Sequence, residues 1–143
     1  MTEKIEAPPS PKTYRDLIVW QKAHTLTLKL FEMVLPQHMA SSAMREHSSA
    51  TAANIVVSYR KKNRDEKLHH LASALDSLER CRYYAVLSHD LQLLPAATYE
   101  QLHNHINEVG FLLNNYFKSI AKHRDNETPT EPNATFSPSL RNP

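Results

Sequence analysis

Residues 98–120 read TYEQLHNHINEVGFLLNNYFKSI, and the spacing of their apolar positions decides the fold class. Leu102, Ile106, Val109, Leu113, Tyr116 and Ile120 recur at alternating intervals of four and three residues. Those intervals line up on one face of an α-helix, whereas a strand would require alternation by two. Thr98, followed three residues later by Gln101, has the pattern of a capping box, in which each side chain satisfies a free amide of the first turn. A helix with one apolar stripe must bury it against another element.

The preceding sequence supplies three such partners. A third helix is expected from about Asn63 or Asp65 to just before Pro95. Asn63 and Glu66 form a second capping-box pattern, and Leu68, Leu71, Leu75, Leu78, Arg82 and Ala85 form its stripe. A second helix is expected from about Ser42 to Lys62, with the small residues Ser48, Thr51, Ala53 and Ser58 arranged around Met44 and Ile55, so that a neighbour can approach closely. A first helix is expected from about Tyr14 to Leu35, stopped by Pro36, with Leu17, Trp20, His24, Leu28, Phe31 and Leu35 on one face. The links, at about 36–41, 62–65 and 94–98, are short, which makes sequential helices antiparallel. The expected fold is all-α: an antiparallel up-down-up-down four-helix bundle over residues 14–124.

Composition agrees with this expectation. Among 143 residues there is one glycine, Gly110, and apolar residues make up 41 %, enough for a single core. Residues 1–13 read as a disordered arm ending in the Pro8-Pro9-Ser10-Pro11 cluster. Residues 125–143, rich in Pro, Thr, Ser and Asn, read as a disordered tail. The first residues, MTEKIEAPPSPK, carry acids and prolines where a secretory leader needs an apolar stretch, and no apolar run is long enough to span a membrane. The lone Cys81 suits a reducing compartment, so a cytoplasmic location is expected.

The densest basic run is Arg60, Lys61, Lys62 and Arg64, with Lys67 one turn later. It has two physical readings. Arg and Lys neutralise nucleic-acid phosphates and release counterions. Cations at the end of a helix also complement its dipole. Arg80, Arg82, Lys118, Lys122 and Arg124 extend the candidate basic surface. The nine histidines lack metal-ligand spacing, since His69-His70 and His103-x-His105 diverge around a helix. The pairs Glu66-x-x-His69 and Glu100-x-x-His103 are the one enzyme-like pattern. A carboxylate-bridged metal site also needs acids from the other two helices, and these offer only Glu32 and Glu46. No metal, cofactor or catalytic residue is expected. Asn54 reads as a packing amide, Trp20, Tyr83, Tyr84, Tyr99 and Tyr116 as core or interface anchors, and Cys81 as an inert thiol.

Four stretches together resemble a known family. Tyr14-Arg15-Asp16-Leu17-x-Val19-Trp20-Gln21-Lys22-Ala23 is similar to the first-helix signature of the 23S rRNA intervening-sequence proteins. Ala53-Asn54-Ile55, then Ala74-Leu75-Asp76-Ser77-Leu78-Glu79 with Arg82-Tyr83-Tyr84 and Leu87-x-x-Asp90-Leu91, then Val109-Gly110-x-Leu112-Leu113-Asn114-x-Tyr116, resemble the later helices in order and spacing. The likeness covers about residues 14–122. It departs after Asn54-Ile55, where the family has Ala-Glu-Gly, then Tyr and a second Gly, and this chain has Val56-Val57-Ser58-Tyr59-Arg60. Ala50 replaces a family Ser, and Asp76-Ser77 replaces Gly-Ser. The resemblance implies a four-helix bundle assembling as a homopentamer. It also implies kinship with the accessory variability determinants of diversity-generating retroelements, basic pentamers that bind nucleic acid and a reverse transcriptase. Two functions are therefore carried forward. The first is a non-enzymatic homo-oligomer binding RNA or a ribonucleoprotein through a basic face. The alternative is a protein-partner adaptor or structural scaffold without nucleic-acid contact.

Overall fold

The computed structural model describes residues 10–122 and 131–132. A 3-10 turn, Tyr14–Asp16, precedes four helices: α1 (Ile18–Glu32), α2 (Met39–Arg60), α3 (Arg64–Asp90) and α4 (Ala96–Lys122). Consecutive helices pack on one another and α1 packs on α4, closing the expected up-down-up-down bundle. Among the described residues no helix is long and apolar enough to cross a membrane.

All six stripe positions of α4 are in the core, none more than 3 % exposed. The helix starts three residues earlier than the Thr98–Gln101 capping pattern suggests. Tyr99 N–H donates to Pro95 O at 3.0 Å, and Ala96 and Ala97, the strongest helix formers, extend the first turn behind the proline. At α3 the Asn63 cap is as expected, its Oδ1 accepting from Glu66 N–H at 2.8 Å. The helix closes through Gln92 in the left-handed region (φ 59°), with Leu93 N–H donating to Ser88 O at 2.8 Å.

The face of α1 differs from expectation. Thr13 and Asp16 cap the 3-10 turn, Leu17 is extended, and the α-helix begins only at Ile18. Val19, Trp20, Ala23, Leu26, Thr27 and Leu30 are buried, whereas Leu28 and Phe31 are 45 % and 57 % exposed. The helix carries large apolar residues on more than one face, and the small Ala23, not the bulky Phe31, marks the side that meets the bundle. On α2 the buried face holds Ala40, Ala43, Met44, Ser48, Thr51, Ala52, Ile55 and Ser58, with Ala52 in the place expected for Ala53, which is exposed. This small face packs on α3 in the most extensive helix pairing of the molecule. Two of its hydroxyls are satisfied locally, Ser48 Oγ on Arg45 O at 3.0 Å and Thr51 Oγ1 on His47 O at 2.8 Å, whereas the buried Ser41 Oγ has no hydrogen-bond partner among the described residues.

Between α3 and α4, Arg82 donates through Nη1 to Asn107 Oδ1 and through Nε to Glu79 Oε1 at 3.2 Å. Its guanidinium lies over Gly110, where an added Cβ would stand 3.6 Å from Arg82 Nη2 and 3.5 Å from Leu78 Cδ2. Both are ordinary contact distances, so Gly110 is not demanded by space. The expected tail, 125–143, is described only at Glu131 and Pro132, and the expected arm, 1–13, only from Ser10 onward. Glu131 docks on the entrance of α1. Its two carboxylate oxygens accept from Ile18 N–H at 2.6 Å and Val19 N–H at 2.8 Å, amides for which Leu17 provides no side-chain cap.

Two stability changes follow. Gly110→Ala is expected to stabilise the fold by about 0.5–1 kcal/mol, because helix-interior Gly is unfavourable by that amount and the new methyl meets no clash; thermal unfolding by circular dichroism should show a raised midpoint. Glu131→Ala, which uncaps two amides, is expected to cost about 1 kcal/mol. Glu131→Gln removes the charge and keeps one of the two acceptor oxygens, since an amide nitrogen cannot accept from the second N–H. Burial raises the Glu131 pKa above the ordinary carboxyl value, the Val19 and Ile18 amides pulling it back in part. A raised folded-state pKa makes ionisation costlier in the folded than in the unfolded chain, so that penalty appears as pH rises through this range and is absent below it. Wild type should therefore gain stability relative to the non-titrating Glu131→Gln as pH falls through the carboxyl range, a trend that thermal midpoints by circular dichroism at neutral and acid pH would check.

Candidate nucleic-acid interface

The antiparallel course brings the entrance of α1, the α2–α3 link and the exit of α4 to one end of the bundle. Tyr59 O–H donates to Pro11 O at 3.1 Å, tying the first of these to the second. Lys12 and Arg15 come from the first, Arg60, Lys61, Lys62 and Arg64 from the second, and Lys118 and Lys122 from the third. Among the described residues four acids share this end: Asp16 Oδ2 accepts from the Lys12 and Thr13 amides at 2.9 and 3.2 Å, Glu131 caps α1, and Asp65 and Glu66 lie exposed in the first turn of α3, so cations outnumber acids there. The opposite end carries the exposed apolar residues Phe31, Val34, Met39 and Leu91.

Within the link, Arg60 is the last residue of α2, Lys61 its extended C-cap and Asn63 the N-cap of α3. Arg60, Lys62 and Arg64 are exposed and Lys61 is half-buried. Lys67, grouped with them by sequence, is turned elsewhere. Its ammonium donates to Tyr59 O at 3.1 Å and Ser58 O at 3.3 Å and lies 5.8 Å from the centre of the Tyr59 ring. Being one turn into α3, it faces the terminal carbonyls of α2, and burial lowers its pKa. Lys67 thus takes the helix-dipole role that the sequence offered to the whole run. Arg80 is exposed, Arg82 is held between α3 and α4, and Arg124 lies outside the described residues.

The two Glu-x-x-His pairs are separated by the topology. Glu66 and His69 stand at the start of α3 and Glu100 and His103 at the start of α4, which are opposite ends of antiparallel neighbours about 40 Å long. They cannot share one ion. The rings of His69 and His70 meet edge to face, with centroids 5.2 Å apart. Cys81 is fully buried, its thiol donating to Met44 O at 3.6 Å and pushed up to about 12 by burial, with Arg82 opposing the shift. Asn54 is half-buried and donates to Ala50 O at 2.9 Å within its own helix. Trp20 and Tyr116 are core residues, burial raising the Tyr116 pKa, while Tyr83 is 57 % exposed.

A second feature was missed in the sequence. Along the α1/α4 seam a groove of about 560 Å³ is lined by Gln21, Lys22, Thr25 and Lys29 from α1 and Asn104, His105 and Glu108 from α4. Lys22 pairs with Glu108 at 3.3 Å, and His105 Nε2 meets Lys22 O at 3.1 Å. Gln21 Nε2 donates to Arg15 O at 2.8 Å, joining the groove to the basic end. The available signal was Lys22 and Lys29 at an interval of seven, which keeps both cations on one helical face.

The sequence profile of the 23S rRNA-intervening sequence proteins matches residues 15–115 of this chain. Among solved structures, a protein of unknown function from the S23 ribosomal protein family of Bacteroides thetaiotaomicron is similar, with a TM-score of 0.64 at 18 % identity. The match covers 67 % of this chain and 94 % of that one. At that identity the likeness is one of fold. No curated protein matches.

Proposed function

This chain belongs to the 23S rRNA-intervening sequence protein family, and from that premise we propose that it is a non-enzymatic cytoplasmic homo-oligomer that binds RNA or a ribonucleoprotein through the basic end of its bundle. The observation that carries the proposal is the segregation of charge. Arg60, Lys62 and Arg64 are exposed at one end, beside Lys12, Arg15, Lys118 and Lys122, although the chain as a whole has a net charge of only +2. A cluster of this kind attracts a polyanion where the net charge would not. Lys67 supports the neighbourhood without joining it, since its ammonium holds the α2 carbonyls in place of the other cations. In a ring of five copies, the number that the family resemblance implies, five such clusters would sum.

Self-association has its own support in the exposed apolar corner formed by Leu28, Phe31, Val34 and Met39. Like charge opposes contact between two basic ends, so a second copy is best met at this corner. The same corner also suits the alternative, an adaptor for a protein partner with no nucleic-acid contact; a pull-down that survives nuclease and high salt favours that reading.

Purified protein should bind a structured RNA with an affinity that falls steeply as salt rises. The triple variant Arg60→Glu, Lys62→Glu, Arg64→Glu, with an unchanged helical spectrum, is expected to weaken binding about tenfold or more. It should also flatten the logarithmic salt dependence by roughly 0.9 for each phosphate that the variant no longer neutralises. Equal binding by variant and wild type would remove the basic end from the function. For assembly, Phe31→Glu is expected to lower the molar mass seen by light scattering; an unchanged mass would place the self-association surface elsewhere.

A further inference from the structure

We propose that the groove between α1 and α4 seats a single strand of RNA, with backbone phosphates at Arg15 and Lys29 and a ribose hydroxyl on His105. The proposal rests on the RNA-binding reading above and extends it from the end of the bundle onto its side.

Charge sets the track. Lys22 and Lys29, seven residues apart on α1, stand about 10 Å apart along the helix axis, and beyond the mouth of the groove the exposed Arg15 holds its guanidinium 5.5 Å from the Tyr14 and Trp20 ring centres. The middle of the groove is neutralised, because Lys22 is paired with Glu108 at 3.3 Å. Lys29 makes no ion pair or side-chain hydrogen bond among the described residues. The arrangement is therefore a neutral centre between two cationic stations, Arg15 before the entrance of α1 and Lys29 near its exit. That pattern suits a polymer whose negative charges recur along a backbone with neutral sugar and base between them.

The imidazole gives the chemical class. A carbonyl oxygen can only accept, so the contact with Lys22 O assigns the proton of His105 to Nε2. Nδ1 is then a lone-pair acceptor on a ring that lines the groove. Burial, foremost, holds His105 below the usual imidazole range, which keeps that acceptor at neutral pH. An acceptor beside a phosphate station calls for a hydroxyl donor near a phosphate, which ribose supplies within the strand and deoxyribose does not. The exposed Asn104 at the rim adds an amide able to donate to and accept from a base edge. The groove measures about 560 Å³, the size class that takes a small-molecule ligand, which gives room for nucleotides of a single strand.

The test uses the full chain, isotopically labelled, titrated with oligouridylate of about six nucleotides and with its deoxy counterpart. Amide shifts are expected at residues 21–29 and 104–108, with RNA bound about fivefold more tightly than DNA. Lys29→Gln should weaken both oligomers by several-fold. His105→Phe should weaken RNA alone and erase the preference. Shifts confined to residues 60–64, or a preference untouched by His105→Phe, would overturn the groove while leaving the basic-end reading in place. Absence of binding to this oligomer and to structured RNA alike would overturn both.

Discussion

The close approach of α2 to α3 is the constraint on which the rest of the molecule depends. It is possible because α2 turns alanines, serines and a threonine toward its neighbour, and because the buried hydroxyls of Ser48, Thr51 and Ser58 donate to nearby carbonyls. Two helices held this tightly can be joined by a link as short as Lys61–Asn63. The short link compresses the basic run into one turn of chain at the tip of the bundle. Ser58, fully buried near the end of α2, donates to Lys67 O at 2.9 Å, while Lys67 Nζ returns to Ser58 O. The two helices are thus stitched reciprocally just below the turn. Arg60, Lys62 and Arg64 are exposed at this tip, while Asn63 and Lys67 cap the facing helix ends.

The opposite situation holds across the bundle. The pairing of α1 with α4 is the least extensive of the four helix–helix contacts. α1 enters late, after a 3-10 turn and the extended Leu17, and its first amides are capped by Glu131 from beyond α4. Where α2 and α3 meet through small side chains, α1 and α4 face each other with Lys22, Lys29, His105 and Glu108, which span the seam without filling it. A tight side and an open side therefore follow from side-chain size and polarity at two helix interfaces.

This difference also explains what the sequence could disclose. The α4 stripe was legible residue by residue, since its large apolar positions recur on one face and all of them are buried. Asn63 as a cap was legible for the same local reason. The face of α1 was not, because Leu28 and Phe31 outweigh Val19 and Ala23 in any count of apolar bulk, and only the partner helices decide which side is covered. Of the candidate interface, the exposed cations of the α2–α3 link were visible as a run. Lys67 was not separable from them, since its partners are backbone carbonyls brought near by the antiparallel turn. The Glu131 cap links residues more than one hundred positions apart and has no periodicity to announce it.

The departures from the family pattern have a physical sense in this structure. After Asn54-Ile55 the pattern has an acid where this chain has Val57, and a second glycine where it has Arg60. Val57 is 39 % exposed, so in this chain the missing acid vacates a surface position and leaves no unmet buried partner. The first glycine corresponds to Ser58, which is buried and stitches α2 to α3, so the helix runs unbroken through a segment where glycine would weaken it. Removing an acid at 57 and adding a guanidinium at 60 both shift the same end of the bundle toward positive charge, within one turn of Lys61 and Lys62. Repeated in every copy of an oligomer, those substitutions raise the potential at the one end whose cations packing leaves exposed. The residues by which this chain departs from the pattern it resembles thus strengthen the feature on which its proposed binding rests.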